Sequence, residues 1–600
     1  MIDNSAEKEQ DKEYGQTGHI SASSGAYRFF NRPFLHVVII AAISFLIYSN
    51  TFHVPFEFDD LRNITDNLSI KDVGNSWPPS GTRWVGFLSF ALNYYLGGLE
   101  PVGYNIGNLA VHIVTVWLVY SLILLIFRAP YFSRGGAAIE NEQTPEHIPF
   151  QTFRSPRFFA LTVALLFASH PIQTQAVTYI VQRFASLATL FYLLALVSYI
   201  KFRLSVQQNT EKSKKNAGSY FLYSIALLSA VLSMKTKEIA FTLPAIIIVC
   251  ELYFFEWHIK KRIIHLIPFI LAMLIIPSML LDKAGHLTEI RAIDEIAEKI
   301  AETPHITRSD YLITQSRVIV TYIRLLVLPV NQNLDYDYPI YKSFFSPEVV
   351  ISFLFLLSLL ILGIYLYHLS RDVENKNRYW YRLSAFGIFW FFLALSVESS
   401  VIPINDVIFE HRVYLPSVGF FIVLASAIEL LGMIVKRKTL YARAVIYLIA
   451  FVIFILSVST VARNSVWKDN VTLWSDVTKK SPDKSRPHYN LGNAYRDKGR
   501  FNEAITEYLA ALKIRPDHLL AHNNLGVVYA ELGRFNEAIS QYLIALIIKP
   551  DDADAHNNLG SAYAELGRFD EAINQYLIAL KIKPTDKNAR QNLEYLLRNR

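Results

Sequence analysis

The hydrophobic positions of this chain divide it into two parts. Eleven apolar stretches, several of them short for a full span, lie before residue 461. Residues 485–586 instead repeat a mixed polar and apolar pattern of one length. We therefore predict an all-α protein in which a polytopic bundle of about 11 spans precedes a helical solenoid. The apolar stretches are near residues 34–49, 105–127, 157–170, 184–203, 219–234, 239–256, 262–281, 348–369, 379–397, 412–431 and 441–461.

Basic residues predict the orientation of these spans. They precede the first stretch and follow the second, fourth, sixth, eighth and tenth, so the positive-inside rule makes these loops cytoplasmic. Residues 1–33 are then a cytoplasmic tail before an uncleaved first span. The odd span count puts the repeats on the outer side. The apolar segment 310–329 carries Arg317 and Arg324, and we predict that it is an interfacial or partly inserted helix on that outer face.

A 34-residue repeat fills the C-terminal part. The tripeptide Asn-Leu-Gly begins at positions 490, 524 and 558, and a proline closes each unit. This period is typical of tetratricopeptide helix–turn–helix units, and the proline ends the second helix because it has no backbone N–H. We predict three repeats over residues 485–586, after a linker and degenerate half-repeat at 463–484 and before a cap at 587–600. Stacked units typically form a peptide-binding groove; a spacer or dimerisation arm is the alternative.

Composition excludes several classes of protein. Charged residues are only 18% of the chain, and this deficit is concentrated before residue 461. The net charge of +7 predicts no nucleic-acid partner, because the basic residues lie mostly in short loops where they orient the spans. The single cysteine, Cys250, cannot form an intrachain disulfide. No phosphate-binding glycine loop and no zinc-spaced His/Cys cluster occurs in the sequence.

The first outer loop contains a dense group of acids. Glu57, Asp59 and Asp60 lie close behind the first span, between aromatic residues. The loss of hydration beside a membrane is unfavourable for an acid, so acids in such a place usually have partners or a function. The functional interpretation is a general base or a cation site, and the alternative is a solvated loop cap.

Other outer loops add cations and further acids. Two lysines and an acid fill the tight turn 235–238, against the positive-inside rule that the other loops obey. An anionic ligand such as a phosphate at the membrane surface would explain this exception, and a Lys–Glu pair without a ligand is the alternative. Converging acids, cations and aromatics at one face of a bundle predict an enclosed polar site. Its candidate residues beyond the first loop are His170, Arg183, Lys235, Lys237, Glu238, Glu410 and Arg412.

Ordered loop motifs resemble those of a known family. The strings are FEFDD at 56–60, the segment 83–112, ASHPIQTQAV at 168–177, KTKE at 235–238 and EHRVYLPSVGF at 410–420. With the terminal repeats, their order resembles the transmembrane and tetratricopeptide repeat-containing family of O-mannosyltransferases and its bacterial relatives. The resemblance covers most of residues 34–586. Two features depart from it: this chain has three full repeats where animal members have more, and Arg83-Trp84 stands where relatives often have Arg-Pro.

This resemblance implies a GT-C-like glycosyltransferase domain over residues 34–462. Such an enzyme transfers a sugar from a polyprenyl-phosphate donor to Ser or Thr hydroxyls of an acceptor protein on the outer or lumenal face. The catalytic acid of the family lies in the first outer loop, which maps to Asp60, with Asp59 as the alternative. A carboxylate can take the proton of the attacking hydroxyl, and cations can stabilise the leaving phosphate.

We therefore expect distinct roles for the remaining candidates. Arg183, Lys235 or Lys237, and Arg412 are expected to hold the donor phosphate. His170, Glu238 and Glu410 are expected to shape the pocket or pair with these cations. The carboxylate pair could also hold a divalent cation, although no cofactor is implied with certainty.

The sequence is compatible with two other functions. An O-oligosaccharide ligase or polymerase also uses lipid-linked donors, but such enzymes usually centre on large later loops. A non-enzymatic membrane anchor could use its repeats as a scaffold, although eleven spans are excessive for that purpose. The expected location is a bacterial inner membrane with the repeats in the periplasm. An endoplasmic reticulum membrane with lumenal repeats has the same topology.

Overall fold

The structure is a computed structural model of the 600-residue chain. It describes residues 32–133 (apart from 78, 80 and 82), 155–211, 217–255, 259–278, 306–399, 404, 406–434 and 438–598. All regular elements of these residues are helical, which confirms the all-α prediction. By contacts they form two compact units, the first with residues 32–278, 307–332 and 340–465, and the second with residues 306, 333–339 and 466–598.

The first unit is a helical bundle. Its helices vary in length, and short 3-10 or single-turn segments connect several of them. Helices of eleven residues or more are numbered in chain order. They are α1 Pro33–Tyr48, α2 Trp84–Gly97, α3 Pro101–Phe127, α4 Pro156–Ser169, α5 Arg183–Glu211, α6 Ala217–Met234, α7 Leu243–Phe254, α8 Ile259–Ala272, α9 Arg308–Val327, α10 Pro347–Leu369, α11 Arg378–Leu395, α12 Pro416–Ile434 and α13 Lys438–Ser465.

Seven of the described helices are long and apolar enough to cross a membrane. The segments predicted near 157–170, 239–256 and 262–281 form the shorter helices α4, α7 and α8. Helix α11 has eighteen residues but carries Arg378 and Arg382. The count of about eleven spans therefore stays a prediction, as does the interfacial position of α9. The seven are Pro33–Thr51, Pro101–Phe127, Ile180–Gln207, Ala217–Met234, Pro347–Leu369, Pro416–Met433 and Ala444–Ser465.

Two glycines bring α11 and α12 into close contact. A Cβ atom added to Gly387 would lie 2.5 Å from the backbone oxygen of Gly419. Small residues at such a crossing let two helices approach until their backbones touch. Trp390 packs beside the same crossing, and its indole N–H donates to the carbonyl oxygen of Leu415 over 3.0 Å. This crossing fixes α12, whose N-terminus follows the segment 410–413.

The second unit contains the repeats. Each repeat pairs two helices, and the ring of a tyrosine on the second covers a glycine on the first. A Cβ atom at Gly492 would lie 2.6 Å from the ring of Tyr508, and the same geometry recurs in the next two repeats. Gly499 turns the chain between paired helices with a φ of 70°. The helices are α14 Asn470–Lys480, α15 Ser485–Asp497, α16 Phe501–Ile514, α17 Leu519–Glu531, α18 Phe535–Ile548, α19 Ala553–Glu565, α20 Phe569–Ile582 and α21 Lys587–Arg598.

The segment 333–339 joins this second unit through a buried acid. The side chain of Asp335, 1% exposed, accepts hydrogen bonds from Arg486 over 2.6 and 2.5 Å and pairs with Lys484. The hydroxyl of Ser481 donates to the carbonyl oxygen of Asp335 over 2.8 Å and accepts from the backbone N–H of Asp337 over 3.0 Å. A stretch that precedes α10 in sequence is thus part of the core before the first repeat.

Candidate active site

The first-loop acids differ sharply in their surroundings. Asp60 is 1% exposed, whereas Asp59 is exposed. One carboxylate oxygen of Asp60 accepts the backbone N–H of Glu57 over 3.0 Å, and the other accepts that of Val181 over 2.6 Å. Burial raises the pKa of Asp60 well above its ordinary value, against the lowering effect of these two hydrogen bonds. Asp60 therefore ties the first loop to the turn before α5.

Tyr179 positions the neighbouring acid. The backbone N–H of Asp59 donates to the hydroxyl of Tyr179 over 2.9 Å, and that hydroxyl also hydrogen-bonds to the Asp59 carboxylate. Burial, and next the charge of Asp59, raise the pKa of Tyr179 well above its ordinary value, so the phenol stays protonated. Phe58, directly before the pair, has a φ of 53°, a conformation that non-glycine residues rarely adopt. The loop is thus held in an uncommon shape that presents Asp59 to the surface.

Arg183 is engaged by the protein itself. Each of its three guanidinium nitrogens donates to a protein oxygen: Nε to Asn108 over 2.6 Å, one terminal nitrogen to Asn93 over 2.5 Å, and the other to the carbonyl of Tyr104 over 2.7 Å. The guanidinium also lies 4.7 Å from the ring centre of Phe90. The residue is 3% exposed. This geometry orders α2, α3 and α5 around the first loop.

The turn 235–238 contains two ion pairs. The ammonium of Lys237 lies 2.7 Å from the carboxylate of Glu398, and both side chains are 8% exposed. The carboxylate of Glu238 lies 3.8 Å from the guanidinium of Arg83, and this pair is partly exposed. Lys235 is half-buried and has no ion-pair partner among the residues that the structure describes. Among the described residues, Lys235 is thus the one predicted phosphate ligand whose side chain is not already bonded to an oxygen of the protein.

The segment 410–413 follows a residue that is hydrogen-bonded to α9. The backbone N–H of Phe409 donates to the hydroxyl of Tyr322 over 3.1 Å, and that hydroxyl donates back to the carbonyl of Phe409 over 3.0 Å. The two terminal nitrogens of Arg412 donate to the carbonyls of Val407 and Asp406 over 3.0 and 2.8 Å. Burial lowers the pKa of Arg412, but Tyr322 and then Glu398 raise it, and the net shift is upward, so the guanidinium stays charged.

Two glutamine side chains form hydrogen bonds with the same segment. Glu410 is fully buried, and its carboxylate accepts a hydrogen bond from the side chain of Gln332 over 2.7 Å. The backbone N–H of His411 donates to the side-chain oxygen of Gln175 over 3.3 Å. Glu410 therefore has a hydrogen-bonding partner inside the protein.

The two histidines of the site are neutral. His170 accepts the backbone N–H of Ile172 at Nδ1 over 3.1 Å, and its Nε2 lies 3.1 Å from the carbonyl oxygen of Leu326. Burial lowers the pKa of His170 to about 4. Burial, and next the charge of Lys237, also lower the pKa of His411, whose Nδ1 is buried without a hydrogen-bond partner in the described structure. A buried polar atom without a partner marks a place where a ligand group or water can bind.

These contacts bring the predicted residues into one unit as two neighbouring groups. The first comprises Asp59, Asp60 and Arg183, and the second comprises the turn 235–238 and the segment 410–412. Arg83 connects them: its guanidinium lies 5.3 Å from the ring centre of Phe184, next to Arg183, and it pairs with Glu238 in the second group. The backbone N–H of Val85 also donates to the carbonyl of Lys235 over 3.2 Å.

Four residues of the site had no predicted role. Glu398 and His411 lie in the loop that carries the recognised segment 410–420, and Arg83 begins the recognised segment 83–112, so these motifs contained a signal. The sequence contained no such signal for Tyr179, because a single tyrosine after a polar turn is common in proteins. Among the described residues, no group of three or more His, Cys, Asp or Glu side chains is placed to hold a metal ion.

Fold and site together define an integral membrane protein with a tetratricopeptide array and a buried acid–cation network. Family models described as TPR repeat match residues 492–533 and 528–567, and one described as tetratricopeptide repeat matches residues 553–586. The predicted repeats are thereby confirmed.

The homologues of this chain are named protein O-mannosyl-transferases. Human TMTC4 is 26% identical over 79% of this chain and 66% of its own length. F38B6.6 of Caenorhabditis elegans is 25% identical over 80% of this chain and 62% of its own length. Tmtc3 of Drosophila melanogaster is 24% identical over 82% and 56%. The predicted resemblance is confirmed, and the chain spans about two thirds or less of the length of these relatives.

Two solved structures are each similar to about a fifth of this chain. The first tetratricopeptide domain of Spaghetti (RPAP3), bound to an HSP90 peptide, is 24% identical with a TM-score of 0.19, over 19% of this chain and 92% of that one. A crystal structure of MamA is 26% identical with a TM-score of 0.21, over 22% of this chain and 75% of that one.

Proposed function

We propose that this chain is an integral-membrane protein O-glycosyltransferase. It would move mannose or another hexose from a polyprenyl-phosphate donor to Ser or Thr hydroxyls of a protein on the non-cytoplasmic face. The observation that carries this proposal is the pair of first-loop acids, in which Asp60 is buried and doubly hydrogen-bonded while Asp59 is exposed and held by Tyr179. The names of the homologues support the reaction class.

The sequence ranked Asp60 first as the base, whereas the geometry favours Asp59. A general base must come within hydrogen-bond reach of the hydroxyl that it deprotonates. Asp59 is exposed, whereas both oxygens of Asp60 already accept backbone N–H groups. We therefore assign Asp59 as the base and Asp60 as the positioning residue that holds its loop.

Sugar transfer in the proposed step forms one bond and breaks another. The acceptor oxygen forms a bond to the anomeric carbon while its proton passes to the Asp59 carboxylate. The bond between the anomeric carbon and the donor oxygen breaks, and both of its electrons leave with polyprenyl phosphate. The leaving group gains negative charge, so fixed cations nearby lower the barrier.

Lys235 is the first candidate to contact that phosphate, because it has no ion-pair partner in the described structure. Lys237 and Arg412 supply further positive charge within the same network, each already bonded to a protein oxygen. Arg183 donates from each of its nitrogens to the protein, so we assign it to positioning the helices around the acids. His170, Glu238 and Glu410 then shape the pocket through their own contacts.

The repeats are proposed to bind the acceptor chain. Half-buried asparagine amides connect successive repeats: Asn524 donates to the side-chain oxygen of Asn493 over 2.8 Å, and Asn558 donates to that of Asn523 over 3.2 Å. A side-chain amide has both donors and an acceptor, as a peptide backbone does. This row of amides supports binding of an extended segment with little dependence on its sequence.

The test is transfer of a labelled hexose. The purified full chain in liposomes is given polyprenyl-phosphate hexoses and an envelope protein extract, beside Asp59→Asn and the control Asp66→Asn. Asp66 is an exposed acid of the same loop. We expect labelled protein with wild type and Asp66→Asn, and about 10²- to 10⁴-fold less with Asp59→Asn. No labelled protein from any donor with wild type would overturn the proposal.

A further inference from the structure

A second charged group lies at the other end of α11, away from the candidate active site. Arg382 is in the second turn of this helix, whereas Glu398 follows its C-terminus. The thirteen steps from Arg382 to Leu395, the last residue of α11, correspond to about 20 Å along the helix axis. Whatever Arg382 binds is therefore remote from the acids and cations described above.

Arg382 is enclosed by three tyrosine rings. Its guanidinium carbon lies 4.2 Å from the ring centre of Tyr131, 4.5 Å from that of Tyr367 and 5.6 Å from that of Tyr253. The residue is 5% exposed, while Tyr131 and Tyr367 are only half-buried. The cage is thus closed around the cation but bordered by two partly accessible rings.

Among the residues that the structure describes, no anion pairs with the cation in this cage. The Nε atom of Arg382 is buried without a hydrogen-bond partner, and none of the described carboxylates pairs with the residue. Aromatic faces attract a guanidinium but accept none of its hydrogen bonds in the way that an oxygen does. Tyr253 and Tyr367 lie in the last turns of α7 and α10, whose C-terminal dipoles offset part of the charge. These dipoles do not provide a hydrogen-bond acceptor for the Nε atom of Arg382. A buried donor without an acceptor lowers the stability of the protein.

We propose that this cage is a binding site for a phosphate group, supplied by an anionic lipid headgroup or by free phosphate. A phosphate presents the planar guanidinium with oxygens that accept hydrogen bonds from two of its nitrogens. Basic pockets between membrane helices bind such headgroups. The half-buried rings of Tyr131 and Tyr367 provide the entrance.

The test measures binding of defined probes to the full chain. Protein purified in detergent and stripped of lipid is titrated with dioleoyl phosphatidylglycerol, with dioleoylglycerol, which has the same acyl chains without a phosphate, and with inorganic phosphate. Binding is followed by native mass spectrometry and by the shift in thermal unfolding. We expect phosphatidylglycerol to bind wild type and to raise its unfolding midpoint, and dioleoylglycerol to do neither. Protection by inorganic phosphate as well assigns the site to free anions; protection by the lipid alone assigns it to a headgroup.

Substitutions separate this cage from general surface charge. We expect Arg382→Gln to weaken phosphatidylglycerol binding at least about tenfold, because it removes a charge-assisted hydrogen bond, and the exposed Arg371→Gln to bind as wild type does. If Arg382→Gln does not fold, Arg382→Lys keeps the charge without the Nε donor and should bind more weakly than wild type. Equal binding by wild type and both Arg382 variants, or no binding of either phosphate probe by wild type, would overturn the proposal.

Discussion

The ammonium of Lys237 and the carboxylate of Glu398 lie 2.7 Å apart, although 161 positions separate them in the chain. Both side chains are 8% exposed, and the second carboxylate oxygen of Glu398 is buried without a hydrogen-bond partner in the described structure. Each charge therefore depends on the other for its stability in a poorly hydrated place. The pair joins the turn 235–238 to the loop after α11.

We expect Lys237→Gln to destabilise the protein by about 3–5 kcal/mol, because it leaves Glu398 as a buried charge without its partner. The double variant Lys237→Gln/Glu398→Gln should recover much of this loss, since no charge is then left unpaired. Thermal unfolding in detergent measures both. Lys235→Gln serves as the control for losing a lysine charge in the same turn. Additive losses in the double variant would show that the two residues are not energetically coupled.

We expect a similar loss of stability in the second unit when the buried ion pairs of Asp335 are broken. Arg486 and Lys484 both bind its buried carboxylate, so Asp335→Asn should destabilise the region before the first repeat by about 3 kcal/mol. Amide exchange of α14 and α15 in the full chain, measured by mass spectrometry, should rise. Asp337→Asn is the matched control, because Asp337 is exposed. Unchanged exchange in Asp335→Asn would refute the role given to this acid.

The repeats should lose stability in acid through His518. Its Nδ1 accepts the backbone N–H of Ala521 at the start of α17, and burial lowers its pKa to about 4. The unfolded chain, with a pKa near 6.5, binds this proton at a higher pH than the folded chain does. The stability is therefore complete above about pH 6.5 and falls toward pH 4, by at most about 3 kcal/mol.

Asparagine is the test substitution, because it keeps a capping oxygen and does not titrate. The protection factors of the amides near Ala521, which are corrected for the intrinsic exchange rate at each pH, should fall as the pH is lowered from 7 to 5 in wild type and much less in His518→Asn. His488 acts in the opposite direction, because its hydrogen bond to Glu507 raises its pKa and adds stability in acid. The difference between the two proteins isolates His518, since His488 is common to both. The same pH dependence in both would contradict this account.

Close helix packing gives a prediction for Gly387. A methyl group there would lie 2.5 Å from the backbone oxygen of Gly419, so Gly387→Ala should cost about 1–3 kcal/mol by forcing α11 and α12 apart. Gly103→Ala is the control, since the nearest side-chain atom would lie 3.6 Å away. That change should be neutral or slightly stabilising, because alanine favours the helix. Equal thermal stability of both variants would contradict the packing argument.

Period and hydropathy are local properties, and they allowed the all-α class and the repeats to be predicted. The spacing of Gly492, Gly526 and Gly560 is enough to place a helix pair in each unit. Hydropathy was less decisive for α4, α7 and α8, which are apolar but short. Length alone does not say whether such a helix crosses a bilayer, and this is why the span count could not be fixed.

The partners of the site residues could not be predicted. The sequence indicates that Arg183 is a cation in a polar turn, and that alone suits a phosphate ligand. Its three nitrogens in fact donate to Asn108, Asn93 and Tyr104, which lie 75 to 90 positions earlier. Likewise, adjacent Asp59 and Asp60 are indistinguishable by composition. Their different burial follows from the tertiary contact between the first loop and the turn that contains Val181.

The most direct test of the central claim is hexose transfer by matched Asp59→Asn and Asp60→Asn variants of the full chain. Initial rates with polyprenyl-phosphate hexose separate kcat from the KM for the donor. We predict that Asp59→Asn lowers kcat by about 10²- to 10⁴-fold with little change in KM. Asp60→Asn should lower thermal stability as well as rate, because one of the backbone N–H groups of Glu57 and Val181 loses its acceptor. Wild-type turnover in both variants would contradict the account.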